Sequence, residues 1–174
     1  IVSGRLNTEL RAVDSGYVAT HAVKAVGLSR IFTNGTIRVS SEFTAEDDGV
    51  KPVRFHEVDT IRDDPEVQLS FDWTTDIASG TVGDKEVAIQ LDGISHDNVS
   101  VQYALMHDLL NGGTKQSYTI FDIDKMRVAQ VRNIGTKKVK TKAGNYDVVG
   151  IQHQKEGSSR VTTLWCAPEL GYLP

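Results

Sequence analysis

The chain of 174 residues contains one cysteine, Cys166, so it cannot form an internal disulfide, and its cysteine content does not indicate a redox compartment. It also lacks any apolar run of about 18 residues, the length that a membrane-spanning helix requires. We therefore predict a protein that does not span a membrane. Hydrophobic residues make up 39% of the chain and charged residues 24%, which is typical of a folded globular domain.

The short motifs of the common nucleotide and hydrolase sites are missing. Neither phosphate-binding glycine motif occurs, and the G-x-S-x-G nucleophile motif is absent. Ser95-His96-Asp97 contains the residue types of a hydrolase triad, but triad members meet through the fold and not as sequence neighbours. We interpret these three residues as a turn and a helix cap. The sequence therefore predicts no enzyme, no catalytic residue and no cofactor.

Cys166 is the only candidate thiolate nucleophile. It follows Trp165 at the end of an apolar segment, where burial raises the pKa of a thiol, and we predict a buried, unreactive side chain. The sequence has no cysteine pair and no two histidines at helical i, i+4 spacing, so it predicts no metal site. Acidic residues at 46–48 and 59–66 lack the calcium-loop pattern and are interpreted as solvated turns.

The basic residues of the second half concentrate in Lys137-Lys138-Val139-Lys140-Thr141-Lys142. Such a run can contact phosphate groups. However, the net charge of the chain is −4 and no aromatic residue is interleaved with the lysines, so we predict no nucleic-acid partner. Lysine on an exposed strand edge opposes aggregation, and we interpret the run as a protected sheet edge.

Alternation of apolar and polar residues dominates the chain. In residues 67–73 every odd position is apolar, which places Val67, Leu69, Phe71 and Trp73 on one face of a strand. Residues 37–43 and 87–91 alternate in the same way, and turn-forming residues separate such runs. The pattern predicts a mainly β domain, either a single curved antiparallel meander sheet or a partly open barrel.

Residues 97–110 break this alternation. Their apolar positions have helical spacing and include Val99, Tyr103, Met106 and Leu110. Asp97 can cap the first turn, and Gly112 follows the last turn where a left-handed residue is favoured. We predict one α-helix that packs on the apolar face of the sheet.

The later predicted strands carry apolar residues on both faces. These residues include Tyr118, Ile120, Phe121, Ile123, Val148, Val149, Ile151, Val161, Leu164 and Trp165. Both faces of such strands must be covered, and the helix, a missing terminal segment, a partner or a ligand could provide the cover. The pattern leaves these alternatives open.

The chain ends on Thr163–Pro174, which has the pattern of a strand end, a corner bounded by Pro168 and Gly171, and the start of another strand. We therefore expect a single β-rich domain over residues 1–174 that is truncated at one or both ends. The chain begins at Ile1, so we expect any targeting segment to be removed or to lie outside this sequence.

Three segments together are similar to a known family. They are Leu69-Ser70-Phe71-Asp72-Trp73, residues 97–103, and residues 140–146 running on to the W-x-A-P-x-L-G-Y-L-P string of residues 165–174. From about Tyr17 to its end the chain resembles the bacterial family called domain of unknown function 3108. The resemblance implies an exported, periplasmic protein, and it implies no activity and no catalytic residues.

Two functional hypotheses follow. The first is a non-enzymatic protein that binds a lipid or another apolar ligand between sheet and helix, because apolar walls favour such ligands. The candidate ligand-binding residues are Phe71, Trp73, Tyr103, Met106 and Trp165, although each is also a suitable core residue. The alternative is an interaction or assembly module of the cell envelope that joins a partner through its sheet edges by strand addition. Neither hypothesis specifies the ligand or the oligomeric state.

Overall fold

The computed structural model of the chain describes residues 4–26, 35–122 and 124–174. Seven strands form a first sheet in which each strand lies beside its neighbour in the chain, and all neighbours are antiparallel. They are β1 (Gly4–Val13), β2 (Gly16–Ala25), β3 (Thr36–Glu46), β4 (Gly49–Asp59), β5 (Asp64–Asp72), β6 (Ile77–Val82) and β7 (Lys85–Gln90).

Five strands that follow the first sheet in the chain form a second sheet, in the spatial order β12-β11-β10-β9-β8. Its strands are β8 (Ser95–His96), β9 (Ser117–Asp122), β10 (Lys125–Lys140), β11 (Asn145–Lys155) and β12 (Thr162–Cys166). The two-residue β8 runs parallel to β9, and the other pairs are antiparallel. A 3-10 turn, Pro168–Leu170, follows β12, and Ala167 and Leu173 then form an isolated antiparallel bridge.

The period of two in β5 determines which face is buried. Val67, Leu69 and Phe71 are buried, whereas the residues between them are exposed. Phe55 of β4 belongs to the same core and meets Phe121 of β9 edge-on, with their ring centroids 6.3 Å apart. The apolar faces of the two sheets are therefore turned toward each other.

Helix α1 (Ser100–Leu110) lies between β8 and β9 in the chain and contacts β3 and β4 of the first sheet. Asp97 caps it as predicted, because its Oδ1 accepts hydrogen bonds from the backbone N–H groups of Val99 and Ser100 at 2.7 and 2.8 Å. The helix therefore begins at Ser100, after the capping turn. Gly112 follows its end with φ of 104°.

The predicted fold is confirmed in its main features: the chain is mainly β, the first sheet is an antiparallel meander, and one helix packs on the apolar face. The strands form two sheets and no closed barrel in the ranges described. The division occurs after β7, where Gly93 takes φ of 67° and the chain turns away into β8. Ile123, which belongs to the pattern of two-sided strands, lies outside the described residues.

Candidate functional site

A cavity of about 210 Å³ lies between α1 and the second sheet. One wall is formed by the helix residues Val101 and Leu105. The opposite wall is formed by aliphatic side chains of four strands, namely Ile120, Ala129, Val131, Ile151 and Leu164. Because these side chains offer no hydrogen-bonding group, this part of the cavity favours an apolar occupant.

Polar side chains complete the lining: Asn98, Gln102, Tyr118, His153 and Lys155. The Lys155 ammonium donates to Asp122 at 2.9 Å, and the Tyr118 hydroxyl donates to Asp108 at 2.6 Å. Burial, followed by the positive charges of Lys155 and Arg160, lowers the pKa of His153, so its imidazole is neutral at pH 7. The cavity thus combines an aliphatic wall with a small group of uncharged or already paired polar residues.

The five residues predicted to bind a ligand lie outside the lining of this cavity. Phe71 and Trp73 are brought together on the first sheet, with ring centroids 6.1 Å apart, and the Trp73 indole donates to the carbonyl of Pro52 at 2.7 Å. Tyr103 stacks on Phe43 at 4.9 Å, on the side of α1 that faces the first sheet. Met106, also on α1, packs partly buried against the same core.

Trp165 is separated from the other four. Its strand neighbour Leu164 faces the cavity, so Trp165 points to the opposite face of the second sheet. There it covers Gly150, where an added Cβ would lie 2.6 Å from the indole ring. The Lys137 ammonium lies over the ring, 3.5 Å from its centroid. The assignment of these five residues to ligand binding stays a prediction.

The two-sided apolar pattern of the late strands was the sequence signal for the cavity. Ile120, Ile151 and Leu164 all belong to that pattern, and all three line the cavity. Val131 and Ala129 carried no signal of their own, because β10 is rich in charged residues and its pattern is irregular. The sequence thus indicated which strands need cover on both faces, but it did not indicate where space remains.

Ser95, His96 and Asp97 are all buried, with 0%, 1% and 0% of their surface exposed. The Asp97 carboxylate caps α1 and accepts a hydrogen bond from the Ser41 hydroxyl of β3 at 2.6 Å. Burial raises the pKa of Asp97, and burial lowers the pKa of His96 to about 4. The aspartate is therefore engaged in the helix cap and in the contact between the sheets, as expected for a structural role.

Cys166 is fully buried, and burial raises the pKa of its thiol.

Within residues 4–26, 35–122 and 124–174, no group of three or more His, Cys, Asp or Glu side chains is arranged to hold a metal ion. Three of the four acidic residues at 57–64 are ion-paired, because Arg62 contacts Glu57, Asp59 and Asp64. Asp122 forms ion pairs with Arg127 and Lys155 beside the β9–β10 hairpin.

The lysine run begins on the distal half of β10 and ends in the turn that follows this strand. That half pairs with β11, whereas β9 pairs only with residues 125–130, so Lys137 to Lys140 lie along an edge among the described strands. Lys138 forms an exposed ion pair with Asp147 at 3.2 Å. This placement agrees with the interpretation of the run as edge protection.

The fold and the cavity define a class of protein: a β-rich domain of two sheets in which one helix closes over a small, mainly apolar space. The chain belongs to the family described as Protein of unknown function (DUF3108), whose model matches residues 2–174. The match extends the resemblance seen from Tyr17 onward to nearly the whole chain. No curated protein and no solved structure matches the chain. None of the described helices has the length and apolar character needed to cross a membrane.

Proposed function

We propose that the protein is a non-enzymatic binding protein that takes a small apolar ligand, or the end of a lipid acyl chain, into the cavity beneath α1. The observation that carries this proposal is the cavity of about 210 Å³ with its aliphatic wall. An apolar ligand that fills it removes apolar surface from water, which contributes about 25 cal/mol per Å². The ligand also restores dispersion contacts that an empty cavity lacks.

The size of the cavity limits the ligand. Pockets for drug-sized molecules usually measure about 300–1,000 Å³, so a cavity of about 210 Å³ accommodates a smaller group. The side-chain amides of Asn98 and Gln102 border the cavity and can bind a polar group of the ligand. An amphiphile whose apolar end enters the cavity fits this lining best.

The roles of the reactive side chains support a function without catalysis. Cys166 is fully buried with its pKa raised by burial, so the thiolate needed for nucleophilic attack is disfavoured. The Asp97 carboxylate is engaged by the Ser41 hydroxyl and by two backbone N–H groups of the helix start. Neither side chain is placed for chemistry on a bound molecule.

We also propose that the protein is exported to the periplasm, as its sequence resemblance implies. Cell fractionation of the full-length protein with an epitope tag tests this directly. Recovery with periplasmic markers is the expected result, and recovery only with cytoplasmic markers would contradict export.

A second candidate function is assembly in the cell envelope through sheet edges. It is supported by β1, which pairs with a described strand on one side only and whose residues 4–12 are all exposed. A partner strand can add to such an edge through main-chain hydrogen bonds.

Ligand binding is tested by calorimetric titration with dodecanoate, together with native mass spectrometry of protein purified from cells. The variant Ala129→Leu places extra carbon atoms in the cavity, and we expect it to weaken dodecanoate binding at least tenfold. Ala45→Leu makes the same change at an exposed position of β3 and should leave binding unchanged. Wild-type protein that neither carries a lipid nor binds dodecanoate would refute the proposal, as would equal binding by Ala129→Leu.

A further inference from the structure

Strand β1 is a long edge that pairs with a described strand on one side only. It is the outermost described strand of the first sheet, and its pairing with β2 is continuous from Gly4–Ala25 to Val13–Gly16. A free edge presents unpaired N–H and C=O groups to any other strand, and proteins usually blunt it with charged side chains, especially lysine, or with proline, a bulge or a very short strand. β1 is ten residues long, contains no lysine and no proline, and has no bulge in its pairing with β2; its charged residues, Arg5, Glu9 and Arg11, are of both signs.

The two faces of β1 differ in character. Leu10 lies opposite Ala19 of β2, which is a core residue, so Leu10 extends the apolar face of the sheet to its edge. Leu6 lies on the same face, and the two leucines are 59% and 48% exposed. Glu9 and Arg11 lie on the opposite face, and neither forms an ion pair within the described parts of the chain.

We propose that β1 pairs antiparallel with β1 of a second copy of this chain, about a two-fold axis that passes beside Leu10. In this register Leu10 lies opposite the partner's Leu10, and Thr8 lies opposite the partner's Ala12. Glu9 lies opposite the partner's Arg11, and the symmetry repeats this ion pair. The contact joins the two seven-stranded sheets edge to edge, and ligand binding is not required for it.

Side-chain complementarity selects this register, because residues directly opposite each other in an antiparallel pair lie on the same face. An axis beside Thr8 would place Arg5 opposite the partner's Arg11, two like charges. An axis beside Glu9 would place two glutamates together. An axis beside Asn7 would pair Arg5 with the partner's Glu9 but would leave both leucines opposite Gly4 or Thr8. Only the register at Leu10 places a leucine opposite a leucine and also places residues of opposite charge opposite each other.

The symmetric contact is closed, as in most homodimers. Sedimentation velocity of the full chain over a concentration series should therefore show a species with twice the monomer mass of 19.1 kDa, and none larger. A wild-type chain that stays monomeric across the series would overturn the proposal.

Cysteine substitution tests the register. Opposite Cα atoms in an antiparallel pair are about 4.5–5.5 Å apart, a distance that a disulfide spans. Leu10→Cys should therefore form a covalent dimer under mild oxidation, faster than Asn7→Cys or Thr8→Cys. The native Cys166 does not interfere, because it is fully buried. Faster crosslinking at Asn7 or Thr8 would overturn the proposed register.

Charge exchange tests the ion pairs without changing the fold, because Glu9 and Arg11 are exposed and lie opposite Thr20 and Val18 of their own hairpin. Glu9→Arg and Arg11→Glu should each weaken dimerisation at least tenfold, since each places like charges opposite each other. The double variant restores opposite charges, and we expect it to dimerise like the wild type. Dimerisation that ignores the single changes, or a double variant that stays monomeric, would overturn the proposal.

Discussion

The two sheets are both apolar on their facing sides, but they use these sides differently. The first sheet presents the buried aromatic rings of Phe43, Phe55 and Phe71, of which Phe43 contacts Tyr103 of α1 and Phe55 contacts Phe121 of the second sheet. Around the cavity the second sheet presents aliphatic side chains and the small Ala129. Large rings fill the space on one side of the helix, whereas smaller side chains leave space on the other. The size of the buried side chains, more than their apolar character, therefore distinguishes the first sheet, the structural half, from the second sheet, the candidate binding half.

Asp97 connects these two halves. It follows β8 of the second sheet, caps α1, and accepts a hydrogen bond from Ser41 of the first sheet. A fully buried carboxylate is costly unless its oxygens are hydrogen-bonded, and here the hydroxyl and two backbone N–H groups satisfy them. One polar residue thus links the start of α1 to both sheets.

The substitution with the largest expected effect removes this connection between the two sheets. Asp97→Ala leaves the Ser41 hydroxyl and the N–H groups of Val99 and Ser100 buried without their acceptor. Because each unsatisfied buried donor costs about 1–3 kcal/mol, we expect a loss of about 4 kcal/mol in the free energy of unfolding. Urea denaturation measures it. Asp147→Ala removes an exposed carboxylate as a control and should change stability by less than about 0.5 kcal/mol. A loss equal to that of the control would show that Asp97 does not hold the two halves together.

A matched pair of substitutions compares the packing of the first sheet with that of the second sheet beside the cavity. Ala78 is buried in the first sheet opposite Phe71, and Ala129 is buried beside the cavity. Ala78→Leu should cost about 1–3 kcal/mol through overpacking. Ala129→Leu should be neutral or stabilise by up to about 1 kcal/mol, because its added carbons enter existing space. Chemical denaturation of both variants tests the contrast, and equal losses would mean that the cavity does not admit further atoms.

The pH dependence of stability tests the burial of His96, the last residue of β8, which precedes the turn into α1. Burial lowers its folded pKa to about 4, from 6.5 in the unfolded chain, and the charge of Lys115 adds to the effect. The unfolded state therefore binds more protons between these values, so stability is full above pH 6.5 and falls as the pH decreases toward 4. From this group we expect a loss of about 2 kcal/mol between pH 7 and pH 5.

Two variants isolate the His96 contribution. His96→Gln should lose that part of the pH dependence, whereas His56→Gln, at a histidine whose side chain is 48% exposed, should retain it. Burial also lowers the pKa values of His21 and His153, so the comparison between variants is needed. An unchanged slope in His96→Gln would contradict the prediction, because it would mean that His96 binds a proton equally well in the folded and the unfolded chain.

Local sequence patterns were sufficient for much of the fold. The alternation in β5 and the spacing of the apolar residues in α1 depend only on positions close in the chain, and both are confirmed. The division into two sheets was not predictable in this way. It depends on which strands pair, and pairings such as β8 with β9 involve contacts across the whole of α1.

The candidate site was less predictable for the same reason. Apolar residues on both faces of β12 indicated that Leu164 and Trp165 are covered, but no local pattern indicates which of the two faces the helix. The register that places Trp165 opposite Gly150 decides it, because only glycine leaves room for the indole ring on that face. Cavity volume is similarly non-local, since it depends on side chains from α1 and from four strands.

The smallest expected effect lies on the face of the second sheet that points away from the cavity. There the Lys137 ammonium lies 3.5 Å from the centroid of the Trp165 ring. A cation–π contact at an exposed site contributes about 0.5–1 kcal/mol, so Lys137→Ala should lower the free energy of unfolding by that amount and shift tryptophan fluorescence. Lys142→Ala, in the turn after β10, should change neither. Dodecanoate binding should be the same in both variants, because Trp165 and the cavity lie on opposite faces of the sheet. Weaker dodecanoate binding in Lys137→Ala alone would show that the two faces of the second sheet are coupled in ligand binding. It would also support the assignment of Trp165 to the ligand site.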